Sequence, residues 1–281
     1  MRYVAIGDSF TEGVGDERAD GTPRGWADRV AEGLAAHHRP ADVWYANLAV
    51  RGRLLAPIAT EQLDAALALD PAPTIVTING GGNDVMRPGA DVARLGDLTA
   101  QAVDRCLAAG VTPVVLAGPD PSDRLPFGRA LRRRAAALTD VAAALARDRG
   151  LTFVNVFADA EIRRPRYWSD DRLHLNPVGH QRVATLVLAA LGAAELPSPP
   201  APPSSAPVSS ARLSSAPVSA AEAPPPPSDE EASSARRRLA EAGYYWRYVR
   251  PWVARRLTGR SSGDGRAAKH PAWVLARPAA D

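Results

Sequence analysis

The chain opens MRYVAIGDSFTEG over residues 1–13. Its apolar run Arg2–Ile6 is short and stops at Gly7-Asp8-Ser9, which is how a buried strand leaves a sheet. Four more such runs follow at Val43–Asn47, Thr74–Asn79, Thr112–Ala117 and Thr152–Val156. Amphipathic stretches near Gly25–His37, Ile58–Ala68, Val92–Ala109, Phe127–Arg149 and Pro177–Leu191 alternate with them and are read as helices. Thr139 and Asp140 lie inside the fourth of these and leave its length open. Alternation of this kind predicts an α/β fold, a mostly parallel sheet covered by helices on both faces. In such sheets ligands bind at the carboxyl ends of the strands, where the strand order reverses.

That reading covers residues 1–194 of a 281-residue chain. The next segment, 195–234, holds eleven prolines in forty residues and cannot bury enough apolar surface to offset its ordering entropy, so a disordered linker is expected. Residues 235–281 form a third segment. Its stretch RRRLAEAGYYWRYVRPWVARRL spaces Leu239, Tyr245, Val249 and Trp252 near a helical period, with Pro251 as a kink or restart. The remainder, 258–281, is rich in glycine and arginine and is expected to lack regular structure.

Charge follows the same division. Residues 1–194 carry 22 arginines and 23 acids, 195–234 one arginine and five acids, and 235–281 eleven basic residues and three acids. The net charge of +3 therefore belongs to the tail, and a basic surface over the main domain is not supported. The hydrophobic share of 46% excludes wholesale disorder. The longest apolar stretch, near Val183–Leu191, is about half of the roughly 18 residues a membrane span needs. A single cysteine, Cys106, excludes a disulfide framework and a cysteine-based zinc site, and reads as a small core residue. The amino terminus enters the first strand without a secretory pattern, which leads to the expectation of a cytoplasmic protein.

Four segments carry groups suited to chemistry. Ser9 leaves a strand end toward a helix, so its hydroxyl can face the ligand-binding rim while nearby N–H groups meet a developing negative charge. Asp171 stands three residues before His174 and can curl back to one imidazole nitrogen while the other faces a nucleophile. Gly52 closes Asn47–Gly52, where a bare backbone N–H can approach a substrate. Asn83, in Gly80-Gly81-Gly82-Asn83-Asp84, offers an amide on a glycine-rich strand exit. Taken singly, each is equally a capped turn, a solvated acid–histidine pair or ordinary loop composition.

Taken together and in this order, GDSFTEG (7–13), NLAVRG (47–52), GGND (81–84) and DRLHLNPVGH (171–180) resemble the blocks of the SGNH hydrolases, also called GDSL esterases and lipases. The resemblance spans residues 1–192, with Phe10 where the family's shorthand has leucine. It implies a three-layer, flavodoxin-like α/β/α sandwich with a five-stranded parallel sheet and no cofactor or metal. It also implies roles: Ser9 as nucleophile, His174 as general base and then acid, and Asp171 as its orienting partner. The oxyanion hole would be the N–H groups of Ser9 and Gly52 with the side-chain amide of Asn83. The tail stretch WVARRLTGRSSGDGR (252–266) is similar to the carboxyl-terminal tails of actinobacterial members.

Rival signatures are missing from the main domain: residues 1–194 hold no Gly-x-Ser-x-Gly elbow, no phosphate-binding loop with its lysine, and no His-Glu-x-x-His. His37 and His38 read as solvated, and His180 as structural. A serine esterase on a small-molecule ester substrate is the expected activity. Carbohydrate deacetylation, thioester cleavage and lysophospholipid cleavage are open to the same site, with Arg53, Arg87 and Arg124 as basic residues after strand exits. A binding module is the alternative from another class. In it the basic tail, with Tyr244, Tyr245, Trp246, Tyr248 and Trp252, holds an anionic membrane surface or nucleic acid, whereas in the plainer reading these aromatics dock on the core or form a solubilising end.

Overall fold

The computed structural model describes residues 1–125, 128–193, 243–244, 246–247 and 261–279. The proposed linker and most of the arginine-aromatic stretch of the tail lie outside the described residues. Residues 1–198 and 259–281 form one compact unit, and 199–258 a second that is almost wholly outside the described residues.

The first unit is built on β1 (Arg2–Ile6), β2 (Trp44–Asn47), β3 (Ile75–Ile78), β4 (Thr112–Ala117) and β5 (Thr152–Asn155). These five strands are parallel, in the order β5-β4-β3-β1-β2. The chain steps from β1 to β2 on one side and then crosses from β2 over β1 to β3 on the other, so strand order reverses at β1. Loops leaving β1 and β3 meet there, and their separation forms the crevice in which sheets of this class bind ligands.

Helices cover both faces. Along β1, Tyr3 and Ala5 point into one core and Val4 and Ile6 into the other, as the two-residue strand period requires. On the first face Trp26, Val30 and Leu34 of α2 (Gly25–His37) pack with Val183, Val187 and Leu188 of the carboxyl-terminal helix Pro177–Ala190. On the second lie a helical segment over 55–67, α6 (Val92–Ala108) with buried Val103 and Cys106, and α7 (Gly128–Arg149). The segment over 55–67 is broken: α3 (Leu55–Pro57) passes through a π-turn at Ile58–Gln62 into α4 (Leu63–Leu67). Two one-turn helices follow strand exits, α1 (Ser9–Glu12) after β1 and α5 (Gly82–Val85) after β3. The helix Pro177–Ala190, α8, begins with proline at its first position and Asn176 as cap, accepting from the Gly179 N–H at 3.0 Å. Thr139 does not shorten α7, which runs 22 residues, because its hydroxyl bonds back to the Ala135 carbonyl at 2.9 Å.

One expectation is corrected. Residues 258–281 are not without regular structure: His270–Leu275 form β6, an antiparallel sixth strand on the outer edge of β2. The segment HPAWVL carries a proline, as an edge strand allows, and none of its residues is buried, His270 and Trp273 being half-buried and the rest exposed. Its stability comes from main-chain pairing and from the residues just before it. Among the described residues no helix is long and apolar enough to cross a membrane.

Candidate active site

At the reversal point β1 ends in Gly7-Asp8-Ser9. Asp8 caps α1, its Oδ1 accepting from the Phe10 N–H at 3.1 Å. Ser9 is the first residue of that one-turn helix, so its N–H has no intrahelical acceptor. The imidazole of His174 meets it from 165 residues away, Nε2 standing 3.0 Å from Ser9 Oγ. The other ring nitrogen, Nδ1, lies 2.5 Å from Asp171 Oδ2. The remaining oxygen, Asp171 Oδ1, accepts from the Leu173 and His174 N–H groups at 3.0 and 2.9 Å. Burial alone would raise the Asp171 carboxyl, but the His174 bond and charge and the two backbone donors outweigh it and hold it below the usual carboxylate range.

The His174 loop is a tight return between Trp168 and Leu175, which form an isolated antiparallel bridge. The Ser169 N–H donates to the His174 carbonyl at 2.9 Å, and the Trp168 indole N–H anchors the loop's entry to the Ile162 carbonyl at 2.7 Å. Arg172, at its tip, has φ of 60°, the only positive value for a non-glycine residue among the described residues. That conformation costs free energy and persists because the Asp171 turn and the α8 cap fix both flanks.

Asn83 sits on α5, after β3. Its Nδ2 donates to Asp8 Oδ2 at 3.2 Å and to the Arg53 carbonyl at 3.0 Å. The amide thus bridges the exits of β1 and β3, with both of its hydrogens engaged. Asp8 is buried, and desolvation pushes its carboxyl up to about 6 despite the Phe10 N–H and nearby His174. Gly52, with φ of +76°, lies on the turn after β2, where a Cβ would fall 2.2 Å from Ser261 Oγ.

Three further residues hold these groups without having stood out in the sequence. Glu12, nearly buried at the end of α1, accepts from the Arg51 N–H at 2.6 Å and from its guanidinium at 2.6 and 2.9 Å, tying the Gly52 turn to the serine helix. Gln62, buried in the π-turn, pairs with Gly7: Oε1 accepts from the Gly7 N–H at 2.8 Å and Nε2 donates to its carbonyl at 3.0 Å. Asp84 accepts from the Leu55 N–H at 2.9 Å, fixing the start of α3. Glu12 and Asp84 lie inside the quoted blocks, and their adjacency to Gly13 and Asn83 was the available signal. Gln62 had none, since a glutamine within an amphipathic stretch reads as solvent-facing.

His180 is fully buried, accepts from the Trp26 N–H at Nδ1 (3.1 Å) and donates from Nε2 to the Val14 carbonyl (3.1 Å). Burial pushes it down to about 4, so it is a neutral structural imidazole. His37 and His38 end α2, ring against ring, away from the serine. Of the arginines after strand exits, Arg53 pairs with Glu61 at 3.5 Å, while Arg124 stacks over Trp168 at 5.0 Å. The structure brings Ser9, Asp171 and His174 into one hydrogen-bonded line. It places Asn83 beside Asp8 and Gly52 on the neighbouring turn.

Residues 5–182 match the GDSL-like Lipase/Acylhydrolase family. No curated protein matches the sequence significantly. Among solved structures, TesA aligns with a TM-score of 0.56 at 24% identity, over 68% of this chain and 98% of its own. The psychrotrophic esterase EstA from a Pseudoalteromonas species aligns at 0.54 and 19% identity, over 68% and 96%. A catalytic variant of Axe2, an acetylxylan esterase from Geobacillus stearothermophilus, aligns at 0.58 and 18% identity, over 68% and 94%. At these identities the likeness is one of fold.

Proposed function

Since the chain belongs to the GDSL-like lipase/acylhydrolase family, we propose that it is a serine hydrolase cleaving carboxylic esters through an acyl-enzyme. The observation that carries this reading is the line Ser9 Oγ–His174 Nε2–Nδ1–Asp171, assembled from the two ends of the catalytic unit at the carboxyl edge of the sheet.

In this reading Ser9 Oγ attacks the ester carbonyl as its proton passes to His174 Nε2. Asp171 keeps the Nδ1–H tautomer in place and stabilises the imidazolium. The tetrahedral oxygen is met by the N–H groups of Ser9 and Gly52 and by Asn83 Nδ2. Asn83 is held at the site by Asp8, and the hydrogen now given to Asp8 or Arg53 turns to the oxyanion as charge develops there. Collapse breaks the ester C–O bond and His174 returns its proton to the departing alcohol. Water, deprotonated by the same imidazole, then attacks the acyl carbonyl and releases the acid, restoring Ser9.

The substrate class within this chemistry is a small or medium carboxylic ester, with sugar acetates, thioesters and lysophospholipids as variations of the acyl donor. The test is hydrolysis of p-nitrophenyl esters of graded acyl length by the full chain, beside Ser9→Ala. A loss on the order of 10⁶ in turnover is expected by analogy with serine proteases. No turnover above the Ser9→Ala background at any acyl length would overturn the assignment.

A further inference from the structure

The chain's single lysine, Lys269, stands just before β6. Its ammonium is buried against the Asp28 carboxylate and donates to the main-chain carbonyls of Glu12 (2.7 Å), Arg24 (2.6 Å) and Pro23 (3.1 Å). Asp28 is itself buried and also accepts from the Tyr45 hydroxyl at 3.2 Å. An ammonium taken out of water is tolerated where all its hydrogens find acceptors and an opposite charge stands beside it, and four acceptors surround this one. One of them, the Glu12 carbonyl, belongs to the last residue of the serine helix α1.

Eight residues earlier the same segment makes a turn, in which the Ser261 N–H donates to Asp264 Oδ2 at 2.8 Å. Its Gly263 lies so close to the second block that a Cβ there would stand 2.1 Å from the Arg51 carbonyl oxygen. Arg51 is the residue whose N–H and guanidinium Glu12 grips. The carboxyl-terminal segment therefore touches both members of the Glu12–Arg51 pair: one through its main-chain carbonyl, the other through close backbone packing. Its strand β6 closes the edge of β2, the strand that leads into Gly52. The family match ends at residue 182, so residues 261–279 lie outside it while the residues they touch lie inside.

We propose that residues 261–279 are a strap that completes the active site from outside, with Lys269 as a positioning residue for the Ser9 turn and Gly263 for the Gly52 turn. The strap acts through Glu12 and Arg51 and touches no reacting atom. The inference rests on the reading of Ser9 as nucleophile and Gly52 as oxyanion donor.

The test uses full-chain Lys269→Met, the double variant Asp28→Asn/Lys269→Met, which removes both buried charges together, and Gly263→Ala. Hydrogen exchange is followed in peptides covering 9–14 and 47–54, with β3 and β4 as internal references, beside kcat and KM. Lys269→Met is expected to speed exchange at 9–14 at least tenfold and to lower kcat at least tenfold, with KM within twofold and the reference strands unchanged. Gly263→Ala is expected to do the same at 47–54 but not at 9–14. Should Lys269→Met fail to fold, the double variant decides. Wild-type exchange at both peptides in a folded double variant and in Gly263→Ala would overturn the strap. Were the wild type to cleave no ester, the hydrolase reading would fall while the exchange measurements still decided whether the segment braces these turns.

Discussion

Replacing Gln62 with leucine separates the support of the serine turn from its chemistry. Gly7 precedes Asp8-Ser9, and its N–H has Gln62 Oε1 as acceptor, while its carbonyl accepts from both Gln62 Nε2 and the Val50 N–H at 3.2 Å. Leucine orphans the buried N–H outright, at about 1–3 kcal/mol. It also removes one of two bonds to the carbonyl, at about 1 kcal/mol, because Val50 still satisfies that oxygen. The loss should therefore be roughly 2–4 kcal/mol, read as a lowered urea midpoint at unchanged slope. Turnover should fall with it, since a displacement of about 1 Å at the nucleophile costs on the order of 10²-fold. Gln62→Glu sharpens the test. Ionised, the new carboxylate keeps the acceptor for Gly7 N–H but faces its carbonyl with a second oxygen; protonated, it restores both bonds. Burial raises its pKa in the folded chain, so the folded state binds the extra proton and stability must recover as pH falls. A leucine variant within 0.5 kcal/mol of wild type, or a glutamate variant whose stability does not improve on acidification relative to wild type, would refute the clamp.

Asp8 gives an opposite pH signature from the acids that are stabilised as anions. Its carboxyl is raised from 3.8 to about 6, so the folded chain holds a proton that the unfolded chain releases, and stability falls as pH rises across that interval by on the order of 3 kcal/mol. Urea midpoints from pH 4 to 7 should lose this component in Asp8→Asn, and parallel profiles for the two proteins would contradict it. Asp171→Asn should lower kcat by roughly 10³–10⁴ with the fold intact, because the amide permits the wrong imidazole tautomer; steady-state kinetics with a melting curve checks both halves. At Gly15, φ is +97° and a Cβ would stand 2.0 Å from the Leu175 carbonyl oxygen, so Gly15→Ala should push the His174 loop outward and lower the melting temperature and kcat together.

The five parallel strands were legible because each is a short apolar run ended by polar or glycine-rich sequence, and four of the five helices kept their expected bounds within two residues. The second was not a single helix, since hydrophobic spacing cannot distinguish an α-turn from the π-turn at Ile58–Gln62, which turns Gln62 inward. Ser9, Asp171 and His174 were legible as types at suitable spacings, and their meeting is a property of the topology that no local pattern encodes. Strand β6 was hidden because its side chains are mostly exposed, so the segment lacks the alternation that marks a half-buried strand. Lys269 was hidden for a different reason: a single lysine among arginines looks like composition. Lysine's compact ammonium suits a cage of main-chain carbonyls at 2.6–3.1 Å, whereas a planar guanidinium suits a carboxylate fork.

The acids in these blocks share a physical task. Loops at a strand exit leave backbone N–H groups without ladder or helix partners, and each such group must find an acceptor if it is shielded from water. Asp8 serves Phe10, Glu12 serves Arg51, Asp84 serves Leu55, and Asp171 serves Leu173 and His174. A charged acceptor makes these bonds stronger than a neutral one would. Glu12 and Asp84 reach across to another loop, so the serine turn and the Asn83 turn are each tied to the segment running from β2 through the π-turn. That segment carries Gly52, Leu55 and Gln62. It therefore acts as the hub on which Ser9, Gly52 and Asn83, the proposed nucleophile and oxyanion donors, share a common frame, while the Asp171–His174 loop is anchored separately on α8. Long-range polar links between the two halves run from His174 to Ser9 and, deeper, from His180 of α8 to the Val14 carbonyl just after the serine helix, so the contact between imidazole and hydroxyl at the surface is backed by a buried one beneath it.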